Sequence, residues 1–200
     1  MHIYWHGLSC VKLQVGDITV IINPYQNETG LSMPKFKVDI VATTDLNNAQ
    51  TNNIDRLQGE PVVVQNAGEY EIHGVFFYGT QAANGQTIYA IEAEGMRVAH
   101  LGTEPVELTT ADLELFEGVD ILFLPVTGDT KLIGKLVSHI EPRVIIPIQY
   151  ATKGVKTKLD SLDAFEKEMG VTLPKPESKI ILKEKQLPAE ETQIIVLSAD

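Results

Sequence analysis

Residues 119–147 read VDILFLPVTGDTKLIGKLVSHIEPRVIIP, and their pattern of apolar and polar residues indicates the fold. Its first part, residues 119–125, is an apolar run that predicts a buried strand, and a polar loop follows over residues 126–130. A helix to His139 then leads to a second apolar strand over residues 143–147. Two buried strands joined through a helix are typical of a parallel pair, so this part of the chain predicts a βαβ unit.

The first half of the chain instead predicts short strands joined by tight turns. These strand candidates are β-rich or apolar, and they cover residues 2–6, 11–15, 18–22, 38–43, 61–64, 69–77 and 87–101, the last turning at Glu94-Gly95. Two further helices and two closing strands are expected at residues 109–118, 156–169, 179–183 and 192–197. Antiparallel strands followed by βαβ units predict a mixed α/β (α+β) fold, with helices outside the sheets, in one domain over residues 1–200.

Composition excludes several functions. The chain of 200 residues carries 16 Lys and Arg against 27 Asp and Glu, a net charge of −11, and 44% of its residues are hydrophobic. This acidic balance argues against binding to nucleic acid or to anionic membranes. The lone Cys10 excludes an internal disulfide and predicts a buried thiol. The N-terminus shows no secretory signal, and no run of about 18 apolar residues occurs, so a cytoplasmic location is expected.

The histidines do not form an evident metal site. His2 and His6 lie on one predicted strand, where they would be about 13 Å apart, too far to share one ion. His100, at the end of a strand, is the histidine expected to face a pocket. Two other motifs fail: residues 128–135 have five residues between the glycines of a would-be phosphate loop instead of four, and a calcium loop starting at Asp45 lacks its glycine and its glutamate.

Several strings, taken in order, carry a family resemblance through essentially the whole chain. They are MHIYWHGLSC at residues 1–10, IINP at 21–24, DIVATT at 39–44, AGEYE at 67–71, HLG at 100–102, DILFLPV at 120–126 and EPRVIIP at 141–147. The set resembles small bacterial metallo-β-lactamase-fold hydrolases of the ascorbate-phosphate lactonase-like branch. That resemblance implies a four-layer αββα sandwich, in which two mixed β-sheets are flanked by helices, and a zinc-dependent hydrolase.

The chain departs from this family at the metal positions. The family motif Thr-His-x-His-x-Asp-His begins at Thr44, and Asp45 and Asn47 stand where its first two histidines would be. Ala49 replaces the aspartate, and Gln50 replaces the last histidine. The remaining departures replace a histidine by Leu8, an aspartate by Asn23, an aspartate by Thr103 and a histidine by Gln149.

These departures predict that no metal or other cofactor binds. Zinc is held by imidazole, thiolate or carboxylate groups, whereas amide oxygens are poor donors to it and Ala49 offers none. With Asp45 as its one carboxylate, the site lacks the charge to hold a divalent ion or to lower the pKa of a bound water.

The sequence therefore supports a non-catalytic, metal-free member of the fold that acts as a binding or interaction module. A small polar ligand or a protein partner would bind in its relic pocket, to which no catalytic residue is assigned. The side chains expected to line that pocket are Asp45, Asn47, Gln50, His100, Thr103 and Gln149. The alternative is a metal-dependent hydrolase of lactones or phosphoesters with a rebuilt site through Asp45, His100 and Glu69. A third possibility is a subunit whose function lies in an oligomer interface, on which the sequence is silent.

Overall fold

The structure is a computed structural model that describes residues 1–199. The strands, in chain order, are β1 His2–Trp5, β2 Val11–Val15, β3 Ile18–Ile22, β4 Ile40–Ala42, β5 Val62–Val64, β6 Gly68–Ile72, β7 Val75–Gln81, β8 Thr87–Ala93, β9 Met96–His100, β10 Ile121–Pro125, β11 Val144–Ile148, β12 Ile180–Ile181 and β13 Gln193–Ile194. The α-helices are α1 Thr110–Leu115, α2 Thr130–Ile140 and α3 Leu162–Met169.

The strands form two mixed sheets. The first has the order β12–β1–β2–β3–β4–β5, and the second has the order β13–β11–β10–β9–β8–β7–β6. In the first sheet β1, β2 and β3 are antiparallel, whereas β4 and β5 run parallel to β3. In the second, β6 to β9 form an antiparallel meander, and β10, β11 and β13 continue parallel to β9.

The apolar core lies between the two sheets. In the first sheet alternate residues such as Ile3 and Trp5 of β1 point into it, because successive side chains of a strand face opposite sides. The second sheet contributes residues such as Phe77 and Ile91 to the same core. The two-sheet sandwich of the metallo-β-lactamase type that the sequence predicts is therefore confirmed.

The βαβ unit in residues 119–147 is also confirmed. β10 and β11 pair in parallel, with Phe123 opposite Ile146, and α2 connects them. Every residue of both strands is buried, as expected for parallel strands covered on both faces. The helices contribute to this cover, since Ile133 and Leu136 of α2 and Phe165 of α3 belong to the same core.

The outer face of the first sheet is covered by loops rather than α-helices. A second apolar cluster packs there, and its buried members are Leu8, Cys10, Ile21, Tyr25, Met33 and Val38. Cys10 is fully buried as predicted, and burial raises the pKa of its thiol. The covering segments, residues 24–37 and 151–160, contain only one short 3-10 turn at Asn27–Thr29.

The third helix starts later than the sequence predicts, at Leu162 instead of residue 156. The backbone just before it is committed to other partners: Lys156 N donates to the Thr29 carbonyl (2.9 Å), and the Asp160 carbonyl accepts from Ala151 N (2.8 Å). The closing strands are likewise shorter than expected. Within residues 1–199, none of the helices is long and apolar enough to cross a bilayer.

Candidate functional site

The loops that follow the parallel strands of both sheets meet at one edge of the sandwich, which we call the carboxyl edge. Parallel pairing aligns the ends of β3, β4 and β5 in the first sheet and of β9, β10 and β11 in the second. Hydrogen bonds connect the two sheets at this edge: Gln149 N, after β11, donates to the Leu8 carbonyl in the loop after β1, and Thr87 N, at the start of β8, donates to the Thr44 carbonyl after β4 (both 2.8 Å). Sheets of this kind bind ligands beyond the carboxyl ends of their strands, so this edge is the candidate site.

Uncommon backbone conformations mark the carboxyl edge. Leu8, Asn23 and Gln149 have φ values of 52°, 54° and 58°, in the left-handed region. A side chain in this region costs about 1 kcal/mol or more, and such residues cluster at functional sites. In the resembled family these three positions carry a histidine, an aspartate and a histidine. In this chain they have an uncommon backbone conformation, and their side chains do not suit a metal.

Asn23 connects three loops from a fully buried position. Its Oδ1 accepts a hydrogen bond from Thr44 N (2.9 Å), and its Nδ2 donates to Ser9 Oγ (3.1 Å). An ionised aspartate could accept from both groups, but it would add a buried charge without a counter-ion. The amide therefore keeps this buried junction neutral.

The loop after β4 is folded by its own polar side chains. Asp45 Oδ1 accepts from Asn47 N, and Asn48 Oδ1 accepts from Gln50 N, both at 2.9 Å. The Thr51 hydroxyl donates to the Asp45 carbonyl and closes the loop. Such local side-chain bonds are typical of Asp and Asn in turns. Asp45 is half-buried and Asn47 is exposed, so both side chains are accessible from solvent.

Gln50 and Gln149 close the carboxyl edge between the two sheets. Nε2 of Gln149 donates to Oε1 of Gln50 at 2.6 Å, across 99 positions of sequence. The Gln149 side chain is buried, and its Oε1 has no hydrogen-bond partner among residues 1–199. A neutral amide pair thus occupies two positions that histidines hold in the resembled family.

His100 lies beneath the carboxyl edge rather than at its mouth. The ring is fully buried, its Nε2 bonds to the Ser9 carbonyl (3.0 Å), and its Nδ1 accepts from Gly102 N (3.1 Å). The carbonyl acceptor makes Nε2 the protonated nitrogen. Burial lowers the pKa of this imidazole from 6.5 to about 4. His100 is therefore a neutral structural link, and the expectation that it faces a pocket is corrected.

Thr103 bonds to Gln86, a residue that the sequence did not single out. Gln86 Oε1 accepts from Thr103 N (2.9 Å), and its Nε2 donates to the carbonyls of Leu101 (3.1 Å) and Glu104 (3.0 Å). One buried side chain thus satisfies three backbone groups of the loop after β9. Nothing in the local sequence marks Gln86, because its partners lie on another strand's loop.

The alternative ligand set of Asp45, His100 and Glu69 is not brought together. The strand register places His100 opposite Tyr89, Tyr89 opposite Gly79 and Gly79 opposite Gly68. Glu69, the next residue along β6, is therefore three strands away from β9, about 14 Å at the usual strand spacing. Its side chain is also exposed. One ion cannot be bound by both Glu69 and His100.

The donors at the carboxyl edge do not fit a zinc ion. Within the described part of the chain, no three His, Cys, Asp or Glu side chains lie close enough together to hold a metal. Asp45 supplies one carboxylate, which already accepts from Asn47 N, and the other polar groups are neutral amides and hydroxyls. Zinc prefers imidazole, thiolate and carboxylate. These groups are suited instead to hydrogen bonds with neutral or polar molecules.

Several known proteins are similar to this chain in sequence or in fold. A metal-dependent hydrolase from Lysinibacillus sphaericus (strain C3-41) is 26% identical, with 76% of this chain and 86% of that protein covered. A crystal structure from Thermotoga maritima, described as a Zn-dependent hydrolase of the metallo-β-lactamase superfamily, is also 26% identical; it superposes with a TM-score of 0.83 over 99% of this chain and all of its own. A metallo hydrolase from the archaeon Ignicoccus hospitalis shares the fold at 14% identity, with a TM-score of 0.61 over 91% of this chain and 99% of its own.

The family itself follows from a match to more than half of the chain. The sequence profile of the beta-lactamase superfamily domain matches residues 2–149, which include β1 to β11 and the carboxyl edge up to Gln149. The lactonase branch within it stays a prediction. This chain therefore belongs to the beta-lactamase superfamily.

Proposed function

We propose that this chain is a metal-free, non-hydrolytic member of the superfamily whose carboxyl edge binds a small polar ligand or a segment of a protein partner. The observation that carries the proposal is the 2.6 Å bond between Gln149 Nε2 and Gln50 Oε1, at two positions where the resembled family has histidines. A neutral amide pair there supplies neither the charge nor the ligand type that a divalent zinc ion needs.

Hydrolysis would also need a base, and the edge offers a poor one. Both ring nitrogens of His100 are engaged, with the Ser9 carbonyl and with Gly102 N. Its neutral ring cannot take a proton from water without losing the bond to Gly102 N. Asp45 is half-buried and holds the Asn47 backbone, so it serves the loop rather than a reacting group.

Binding of a polar ligand is supported by side-chain groups that are buried without partners. At the carboxyl edge these atoms are Thr43 Oγ1, Thr44 Oγ1 and Gln149 Oε1, which find no partner within residues 1–199. Buried polar atoms are almost always hydrogen-bonded, to protein or to ordered water. A polar ligand at this edge would supply such bonds, with further contacts from Asp45, Asn47, Gln50 and Thr103.

A second candidate function is metal-dependent hydrolysis, of lactones or phosphoesters. The relatives favour it, because both proteins that are 26% identical are described as metal-dependent hydrolases. On this alternative Asp45 would be the one carboxylate available to a metal at the carboxyl edge.

The expected partners are limited by charge. A net charge of −11 disfavours nucleic acid and anionic lipid, so a small polar molecule or another protein is the expected partner. A cytoplasmic location and a role at an oligomer interface stay predictions.

Activity measurements separate the two functions. With zinc or manganese added, we expect the wild-type chain to stay at background on bis(p-nitrophenyl) phosphate and on γ-butyrolactone. Turnover that Asp45→Ala abolishes, and that the exposed control Asp55→Ala retains, would contradict the proposal and establish the hydrolase instead.

A gain-of-function variant tests whether the changed residues are what prevents zinc binding. The five substitutions Asp45→His, Asn47→His, Ala49→Asp, Gln50→His and Gln149→His restore the family's pattern at these positions. We expect zinc binding to appear in this variant and to be absent from the parent, as measured by equilibrium dialysis.

A further inference from the structure

The strand β6 forms an open edge of the second sheet. It is the last strand in the sheet order, and within residues 1–199 it pairs with β7 alone. The last strand of the first sheet, β5, ends four residues before β6 begins, so the two edges lie on the same flank of the sandwich. An edge strand leaves a row of backbone N–H and C=O groups that another strand can bind.

The turn between β6 and β7 determines which backbone groups of β6 are free. Its two residues, at positions 73–74, have φ values of 53° and 77°, as in the tight turns that join hairpin strands. Such a turn closes with a hydrogen-bonded pair, which is here Ile72 with Val75. Bonded and non-bonded pairs then alternate along the hairpin, so Glu69 and Glu71 direct their N–H and C=O groups away from β7.

The outer face of this edge is acidic. Glu69 and Glu71 share it, because they are two positions apart on one strand. Both side chains are exposed and form no ion pair with the described residues, although Glu71 Oε1 accepts from Gly74 N (3.2 Å). The surrounding sequence adds no opposite charge, since residues 57–96 contain five glutamates and no lysine or arginine.

The inner face of the same edge is apolar. Tyr70 and Ile72 alternate with the glutamates, and they are partly buried against the core between the sheets. On the neighbouring edge strand β5, Val62 is 46% exposed, although Val64 on the same face of that strand is buried in the core. The core therefore reaches solvent at this flank, with apolar side chains left uncovered.

A second copy of this chain does not fit the edge. Residues opposite each other in an antiparallel pair share a face, so pairing β6 with itself through its free groups sets glutamate opposite glutamate. Like charges in that position destabilise a sheet, and the net charge of −11 on each chain adds repulsion. Charged residues on edge strands commonly prevent self-association in this way.

We propose that β6 binds an extended segment of a basic partner protein, in which lysine or arginine alternates with apolar residues. The segment would add antiparallel to β6, as the next strand of the meander, and its backbone would bond to Glu69 and Glu71. Its basic side chains would lie beside the two carboxylates, and its apolar side chains would cover Tyr70 and Ile72. None of the side chains expected to bind at the carboxyl edge lies on β6, so this proposal is independent of the function proposed there.

Fluorescence anisotropy with short labelled peptides tests the charge pattern. We expect a peptide in which lysine alternates with valine, the lysine–valine peptide, to bind about 10-fold more tightly or better than one in which glutamate alternates with valine. The double variant Glu69→Lys/Glu71→Lys should abolish that preference.

The double variant Glu190→Lys/Glu191→Lys is the matched control. It makes the same change of charge at exposed positions just before β13, at the opposite end of the second sheet, and should keep the preference. An unchanged preference in the β6 variant, or an equal loss in both variants, would overturn the proposal.

N-methylated peptides test the backbone pairing. In an antiparallel pair the amides that bond to Glu69 and Glu71 belong to the residues opposite them, which are the lysines of the peptide. Methylation of the lysine amides should therefore abolish binding, whereas methylation of an equal number of valine amides, which face away from β6, should retain it. Equal effects of the two methylated peptides would exclude strand addition.

Hydrogen exchange distinguishes a basic segment from a second copy. In the free protein the amides of Glu69 and Glu71 should exchange rapidly, and the lysine–valine peptide should protect them. Protection without peptide that increases with protein concentration would assign this edge to a second copy of the chain and overturn the proposal.

Discussion

At the scale of single residues, Asn23 is the family position that can be changed with least disturbance of the backbone. Its φ of 54° is tolerated by both Asn and Asp, and its amide bonds to Ser9 and Thr44 from a fully buried position. Asn23→Asp restores the family's residue but buries a charge without a counter-ion. We expect it to lower the free energy of unfolding at pH 7 by about 2 kcal/mol or more, as measured by urea denaturation.

The size of that loss should depend on pH. Protonation of the new carboxyl at acidic pH removes its charge, so the difference between Asn23→Asp and wild type should shrink there. If the variant were as stable as wild type at pH 7, this buried junction would tolerate a negative charge. It would then also tolerate the cation that this charge would attract.

His100 gives a second prediction at this scale. Its folded pKa of about 4 lies below the unfolded value of 6.5, so between these pH values the unfolded chain takes up a proton that the folded chain does not. Stability is therefore complete above pH 6.5 and is lost as the pH falls towards 4. This residue should contribute a loss of about 2 kcal/mol between pH 7 and pH 5.

Urea denaturation at the two pH values measures that contribution. His100→Gln should flatten the pH dependence, while His139→Gln, a change at an exposed histidine, should preserve it. Equal pH dependence in wild type and His100→Gln would mean that the buried ring takes up protons freely.

The sequence predicted which positions changed but not how the new side chains pair. Asp45, Asn47, Gln50, Thr103 and Gln149 were all identified from their place in a motif. The bond between Gln50 and Gln149 spans 99 positions, and no local pattern encodes such a contact. Gln86 was missed for the same reason, and His100 was misplaced because a strand's last residue can face either the core or the opening.

At the scale of secondary-structure elements, the loops over the outer face of the first sheet depend on close backbone contact. Gly30 has a φ of 95°, and an added Cβ would lie 2.1 Å from the Gly154 carbonyl oxygen. Gly30→Ala therefore combines backbone strain with a collision that only loop movement relieves. We expect it to lower the free energy of unfolding by about 2 kcal/mol or more, as measured by thermal or urea denaturation.

Gly16→Ala is the matched control for that change. Gly16 also has a positive φ of 55°, but nothing lies within 4 Å of an added Cβ. Gly16→Ala should therefore lower the free energy of unfolding by about 1 kcal/mol, from backbone strain alone. If both variants lower the free energy of unfolding by the same amount, close contact at Gly30 does not hold the two loops together.

Helix boundaries were the least predictable elements. Apolar spacing and Gly170 correctly indicated where α3 ends, but not that it begins at Leu162. Residues 151–161 bond to distant loops, as Lys156 N does with the Thr29 carbonyl, and such tertiary bonds are invisible to a local pattern.

At the scale of the whole molecule, the fold was predictable because its signal is repeated many times along the chain. The buried parallel strands β10 and β11, the meander of β6 to β9 and the ordered family strings all indicate the same sandwich. The layer outside the first sheet could not be predicted as loops, because a cover of irregular segments has no periodicity of its own.

The molecule thus combines the superfamily's scaffold with a carboxyl edge of neutral groups. Its relatives are described as metal-dependent hydrolases, whereas its own donors at that edge are amides, hydroxyls and one carboxylate. Metal content therefore distinguishes a chain that shares only the fold of its relatives from one that also shares their metal dependence.

Elemental analysis of protein purified without chelator, before and after dialysis against zinc, tests this claim most directly. We expect zinc, manganese and iron to stay far below one ion per chain, and Asp45→Ala to leave that content unchanged. Close to one ion per chain in wild type, lost in Asp45→Ala and retained in Asp55→Ala, would contradict the metal-free account.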